Sequence, residues 1–152
     1  HKKYNNKFLN ETLSAYGLAF HRHNSEIDQE LKIKTGKKVK FQFTPHLSPM
    51  FRGILTTMYL DLKRNDSLEK IYSFLKKYYK NHKFIKILKP NTFLGTNEVI
   101  NTNNCHISVC ESKYKNKIII LSAIDNLIKG GSGQAVQNMN ILFGYKSDEG
   151  LN

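Results

Sequence analysis

From residue 52 to residue 124 a single helix-period segment is set among four strand-like ones, and that order excludes the regular strand-helix alternation of a doubly wound parallel sheet. In the first run, from Arg52 to Leu62, Ile54, Thr56, Met58, Leu60 and Leu62 share one face, with Leu55, Thr57, Tyr59 and Asp61 on the other. The runs 84–88, 105–110 and 117–124 read as further strands, and 89–104 reads as a connecting loop. The helix is carried by Leu68, Ile71, Tyr72, Leu75, Tyr78 and Tyr79 at i, i+3, i+4 and i+7 spacing, with Lys70, Lys76, Lys77 and Lys80 largely opposite. The expectation is an α+β domain: a largely antiparallel, mixed sheet with helices on one face.

Earlier in the chain, Phe8, Leu9, Leu13 and Tyr16 predict an amphipathic helix over 3–16, and Leu18 to Phe20 reads as extended. Asn24 and Ser25 are good N-caps, acids follow at Glu26 and Asp28, and Gly36 closes a helix over 25–35. Val39, Phe41 and Phe43 alternate with Lys40 and Gln42 as in a strand, and Pro45 and Pro49 interrupt it. The length of 152 residues suits one domain, 1–152, with no internal repeat.

Composition narrows the function classes. Seventeen Phe and Tyr, with no apolar run near eighteen residues, argue against disorder and against a membrane span. Residue 1 is His and no basic-then-apolar leader follows it, which implies a piece of something longer without a visible signal peptide. Cys105 and Cys110 lie five apart, which fits no common zinc pattern and no disulfide framework, so a reducing compartment is expected. The net charge of +12 comes from 21 Lys and 3 Arg against 12 acids. Such a field attracts nucleic acid, anionic lipid or phosphorylated metabolites alike. Base readers lean on Arg, whereas here Lys and 16 Asn dominate, as in a compositional bias.

Three clusters could carry chemistry. His21 and His23 would share a face of an extended segment at the mouth of the following helix, where the positive end of the dipole favours neutral imidazole and attracts anions. That suits acid-base work beside a phosphate, with Arg22 and Glu26 adjoining. A zinc site would need a third ligand from Glu26, His46 or a cysteine, and no metal is expected. Surface or satisfied core histidines are the plain alternative. The second cluster, Ile124 to Asn138, holds Gly130, Gly131 and Gly133 around Ser132 ahead of a helix-forming run. It is either a loop whose backbone approaches a ligand or a tight structural turn. The third surrounds Arg52 after the Pro45–Pro49 connection, where a bidentate anion contact or an ordinary surface pair would both fit.

Taken together, HRHNSEIDQEL at 21–31, FTPHLSPMFRGILTT at 43–57 and IDNLIKGGSGQAVQNMNILFG at 124–144 resemble, in order and spacing, the C-terminal half of N-acetyl-gamma-glutamyl-phosphate reductases, over residues 10 to 151. The resemblance implies the catalytic and subunit-association domain of the fold shared by glyceraldehyde-phosphate and aspartate-semialdehyde dehydrogenases, in a cytoplasmic, NADP-dependent enzyme of arginine biosynthesis. In that family a cysteine thiolate displaces phosphate from an acyl phosphate, and the resulting thioester is reduced to a semialdehyde while a histidine moves protons. It implies that His23 is the acid-base residue with His21 beside it, and that Arg52, Glu26 and Arg22 lie on the substrate side. Asn126, Gly130, Gly131, Ser132 and Gly133 would adjoin the nicotinamide. Asn24-Ser25 stands where the family usually has Thr-Pro. The dinucleotide-binding region and the Asn-Pro-Gly-Cys nucleophile segment are absent from this chain, Cys105 falls in a strand rather than at the nucleophile, and the chain alone is expected to be inactive. A homodimer or homotetramer through the exposed sheet face is implied, without nucleic acid or membrane. The alternatives are an aminoadipate-phosphate reductase of lysine biosynthesis and a basic nucleic-acid-binding module.

Overall fold

The computed structural model describes residues 12–151. The described residues form two compact units that divide between Phe51 and Arg52.

In the first unit, strand β1 (Ser14–Ala15) pairs antiparallel with β2 (His46–Leu47), and Tyr16 N–H donates to Pro45 O at 3.1 Å. Residues 12–16 are therefore not helical, and the rest of the helix expected over 3–16 lies outside the described residues. The extended reading of 18–20 is also corrected: Gly17 and Ala19 have φ of 58° and 64°, and Phe20 N–H closes a turn on Gly17 O. Apolar side chains at 18 and 20 reflect no ladder here, because both are exposed. Helix α1 (His23–Thr35) starts two residues before the expected start, with Arg22 at the N-cap, so Asn24 and Ser25 lie in its first turn. Ser25 Oγ donates back to Arg22 O instead of capping. Gly36 ends the helix in the left-handed conformation, with its N–H on Lys32 O. No strand forms over 39–43. Its alternation is not matched by burial, since Phe41 is exposed like Lys40 and Gln42, and Phe43 packs on the histidine rings described below.

The second unit is built on one four-stranded sheet. Strands β3 (Ile54–Asp61), β4 (Ile85–Ile87), β5 (Cys105–Glu111) and β6 (Lys117–Ile124) stand in the order β3-β6-β5-β4. The β3–β6 and β5–β6 pairs are antiparallel and β4–β5 is parallel, which is the largely antiparallel, mixed α+β arrangement expected.

Residue parity sorts the core. Ile118 and Ile120 of β6 and Val109 of β5 face helix α2 (Leu68–Tyr78), whose Leu68, Ile71 and Leu75 pack onto them. Ser67 caps α2 by accepting from Lys70 N–H. Leu121 and Ala123 face the other way, against Leu88, Leu94 and Val99. The 89–104 segment is thus more than a connection: with its 3-10 turn Thr96–Glu98 it covers the second face and buries Leu94, Val99 and Asn103. Strand β3 is the sheet edge, and it leaves Ile54, Leu55, Met58, Tyr59 and Leu60 exposed on both faces. Cys105 and Cys110, five positions apart on one strand, point to opposite faces and cannot pair.

Candidate functional site

The sequence clusters fall into two groups, each contained in one unit. In the first unit the turn through Gly17 delivers His21 to the start of α1. A Cβ on Gly17 would sit 3.0 Å from His21 Cδ2, so glycine is required both for its φ and for that approach. His21 Nδ1 accepts from His23 N–H at 3.2 Å. In the neutral ring this leaves the proton on Nε2 and puts His21 in the capping role that no side chain fills at Arg22. The two imidazoles meet edge to face, with centroids 4.7 Å apart. Tyr16 and Phe43 lie 5.2 and 5.4 Å from His21 and hold it in an aromatic cradle. The convergence expected of an extended segment is real, but a helix start produces it. His23 is the first helical residue, exposed at the positive end of the helix dipole. Arg22 and Glu26 are exposed beside it.

In the second unit the end of β6 meets the start of β3. Arg52 Nη1 donates to Asp125 Oδ2 at 3.0 Å and to Asn101 Oδ1 at 2.6 Å. The residue after each ion-pair partner repeats the link, since Gly53 N–H donates to Asn126 Oδ1 at 2.6 Å. Gly53 has φ of 108°, and a Cβ there would lie 2.8 Å from Thr96. Arg52 is therefore not the loosely placed surface arginine of one expectation, but a guanidinium clamped to a buried acid.

Asp125 has no exposed surface. It also accepts from Asn101 N–H at 2.9 Å, Leu127 N–H at 2.8 Å and Ile128 N–H at 3.2 Å. Burial pushes its pKa up, but these backbone donors, with Arg52 beside it, outweigh that and hold the carboxyl below its ordinary value. Sequence reasoning placed this residue in the glycine cluster without giving it a role. An acid directly after a strand and before a turn was the available signal.

The glycine cluster forms a π-type turn, Ile128–Ser132, that leads into helix α3 (Gly133–Leu142). Gly130, Gly131 and Ser132 are exposed, and Ser132 Oγ donates to Leu127 O at 3.0 Å. Gly133 differs from them. It is buried, and a Cβ there would meet Asn103 Oδ1 at 2.5 Å and Ile128 Cγ2 at 2.7 Å, so it shapes the turn from inside. Beneath the turn, Lys129 Nζ and Asn103 Nδ2 both donate to Gln137 Oε1, at 2.7 and 3.1 Å, and Lys129 lies 5.2 Å over the Phe84 ring. Burial pushes the Lys129 pKa down.

Both cysteines are half-buried: Cys105 Sγ lies 3.4 Å from Ser122 Oγ, and Cys110 Sγ lies 3.4 Å from Ser108 Oγ. Among the described residues no three His, Cys, Asp or Glu side chains are grouped as metal ligands would be, and no helix is long and apolar enough to cross a membrane.

Comparison with known proteins gives this arrangement a family. The model of the semialdehyde dehydrogenase dimerisation domain matches residues 1–126. The chain belongs to this family. Among curated relatives of this semialdehyde dehydrogenase-type chain, N-acetyl-gamma-glutamyl-phosphate reductase of Thermoanaerobacter pseudethanolicus is 49% identical over 97% of the chain and 44% of the relative. The enzyme of the same name from Vesicomyosocius okutanii is 50% identical over 94% of the chain and 40% of the relative. That from Campylobacter jejuni subsp. doylei is 47% identical over 94% and 42%. The chain thus spans about four tenths of the length of the curated relatives it matches. The fold is that of the aspartate semialdehyde dehydrogenase from Francisella tularensis, with a TM-score of 0.67 at 15% identity over 88% of this chain and 40% of that one.

Proposed function

We propose that this chain is the catalytic and subunit-association region, residues 1–152, of a cytoplasmic NADP-dependent reductase that converts N-acetylglutamyl 5-phosphate to the 5-semialdehyde and phosphate. The reading is carried by the near-half identity to reductases of that name along almost the whole chain. The aminoadipate-phosphate and nucleic-acid alternatives are not favoured by those relatives.

In this reading a cysteine thiolate supplied by a region outside these 152 residues attacks the acyl carbon. A C–S bond forms, the C–O bond to phosphate breaks, and phosphate leaves with the electron pair. His23 takes the thiol proton and, when the reduced carbon expels the thiolate, breaking the C–S bond as the semialdehyde carbonyl re-forms, returns that proton to the sulfur. His21 fixes the His23 backbone through Nδ1 and presents Nε2–H to the substrate. Arg22 and Glu26 are the substrate-side residues of the first unit, and Arg52, oriented by Asp125, is that of the second.

The cofactor, when bound, supplies the hydride. The residues here suit its nicotinamide end: with Asn126 Oδ1 committed to Gly53 N–H, its Nδ2 is the atom for a carboxamide oxygen. Gly130 and Gly131 carry no Cβ on an exposed turn, with Ser132 beside them and Gly133 setting their path. The uncovered β3 edge supports a homodimer or homotetramer through the sheet.

The test is NADPH oxidation with N-acetylglutamyl phosphate by the full-length protein and by residues 1–152 alone. Activity is expected in the first and none in the second. A full-length protein inactive on this substrate overturns the reading.

A further inference from the structure

We propose that Asp125 is the positioning residue that locks the substrate-side arginine and the cofactor turn into one rigid unit. The inference rests on the reading above, and it assigns a role to a residue that touches neither ligand.

The geometry divides the carboxylate by oxygen. Oδ2 takes the Arg52 guanidinium and Asn101 N–H, while Oδ1 takes Leu127 N–H and Ile128 N–H at the entrance of the π-type turn. The Asp125 carbonyl also accepts Gly130 N–H at 3.1 Å inside that turn. The second rung, Gly53 N–H on Asn126 Oδ1, stops β3 from sliding past the turn. All four partners of the carboxylate are donors, so only an acceptor at both oxygens satisfies them. An amide would turn an NH2 group against donors on one side. With no exposed surface, Asp125 acts on substrate and cofactor through its partners Arg52 and Asn101 and through residues 126–130.

The test is steady-state kinetics of the full-length enzyme with each substrate varied in turn, alongside urea unfolding midpoints. Asp125→Asn is expected to raise KM for both the acyl phosphate and NADPH, each by about tenfold or more, since small displacements of positioning groups carry penalties of that size or larger. Arg52→Lys is expected to raise only the acyl-phosphate KM. The acid-base limb of the pH profile should stay where it is in both variants. A purely structural role would lower the urea midpoint and leave both KM values unchanged, and that result overturns the proposal. A rise confined to the acyl-phosphate KM overturns it as well, because the turn would then be independent of Asp125.

If Asp125→Asn does not fold, the double variant Arg52→Gln, Asp125→Asn also removes the guanidinium that has lost its carboxylate. A wild-type NADPH KM in that double variant overturns the proposal, and a raised one supports it. Wild-type enzyme without activity would instead overturn the reaction assignment.

Discussion

Arg52 and Asp125, 73 residues apart in sequence, meet at 3.0 Å with the carboxylate fully buried and the arginine side chain about a quarter exposed. The pair closes the seam where β3 begins and β6 ends, and its energetics show in acid.

Because the folded Asp125 pKa lies below its ordinary value, its contribution to stability is complete above the unfolded carboxylate pKa of about 4 and is lost as pH falls through the folded value. Urea midpoints measured from pH 7 down to pH 2 should fall steeply below pH 4, and Asp125→Asn should flatten that fall. Asp148, held down by its hydrogen bond to Lys83, titrates in the same direction, so Asp148→Asn is the matching control.

His23→Asn in the full-length enzyme should lower kcat by roughly 10²–10⁴, the usual contribution of a placed acid-base group. A loss under threefold, measured by NADPH oxidation, would move the proton-transfer role to His21.

Gly133→Ala should destabilise the fold by about 1–3 kcal/mol, because the new methyl meets Asn103 Oδ1 and Ile128 Cγ2 inside van der Waals contact. Gly130→Ala, where the nearest atom is at 3.6 Å, should leave the urea midpoint nearly unchanged.

Leu55→Glu with Tyr59→Glu, both exposed on one face of β3, should shift sedimentation toward monomer. An unaltered assembly would place the subunit contact elsewhere.

What the sequence made legible was local. The α2 stripe and the alternation in β3, β5 and β6 depend on residues two to four apart, so their periods could be read directly. The 39–43 segment shows the limit: Val39, Phe41 and Phe43 alternate, yet a strand also needs a partner, and the pairing went to β1 and β2. The site divides in the same way. His21 and His23 were visible because a short spacing brings them together. Asp125 was not, because its burial depends on Arg52, Asn101 and Leu127 converging from three segments.

Strand β6 gives its even residues to one core and its odd residues to the other. A single-residue insertion within 118–123 would therefore exchange the two sets downstream of it, moving Leu121 and Ala123 toward α2 and the Asp125 junction out of register with Arg52. Around this strand, length variation among descendants of this chain should accordingly fall in the 112–116 turn, with β6 itself held to a fixed count. Deep insertion scanning would read that rule as a gap in tolerated sites spanning the strand and ending only after Asn126.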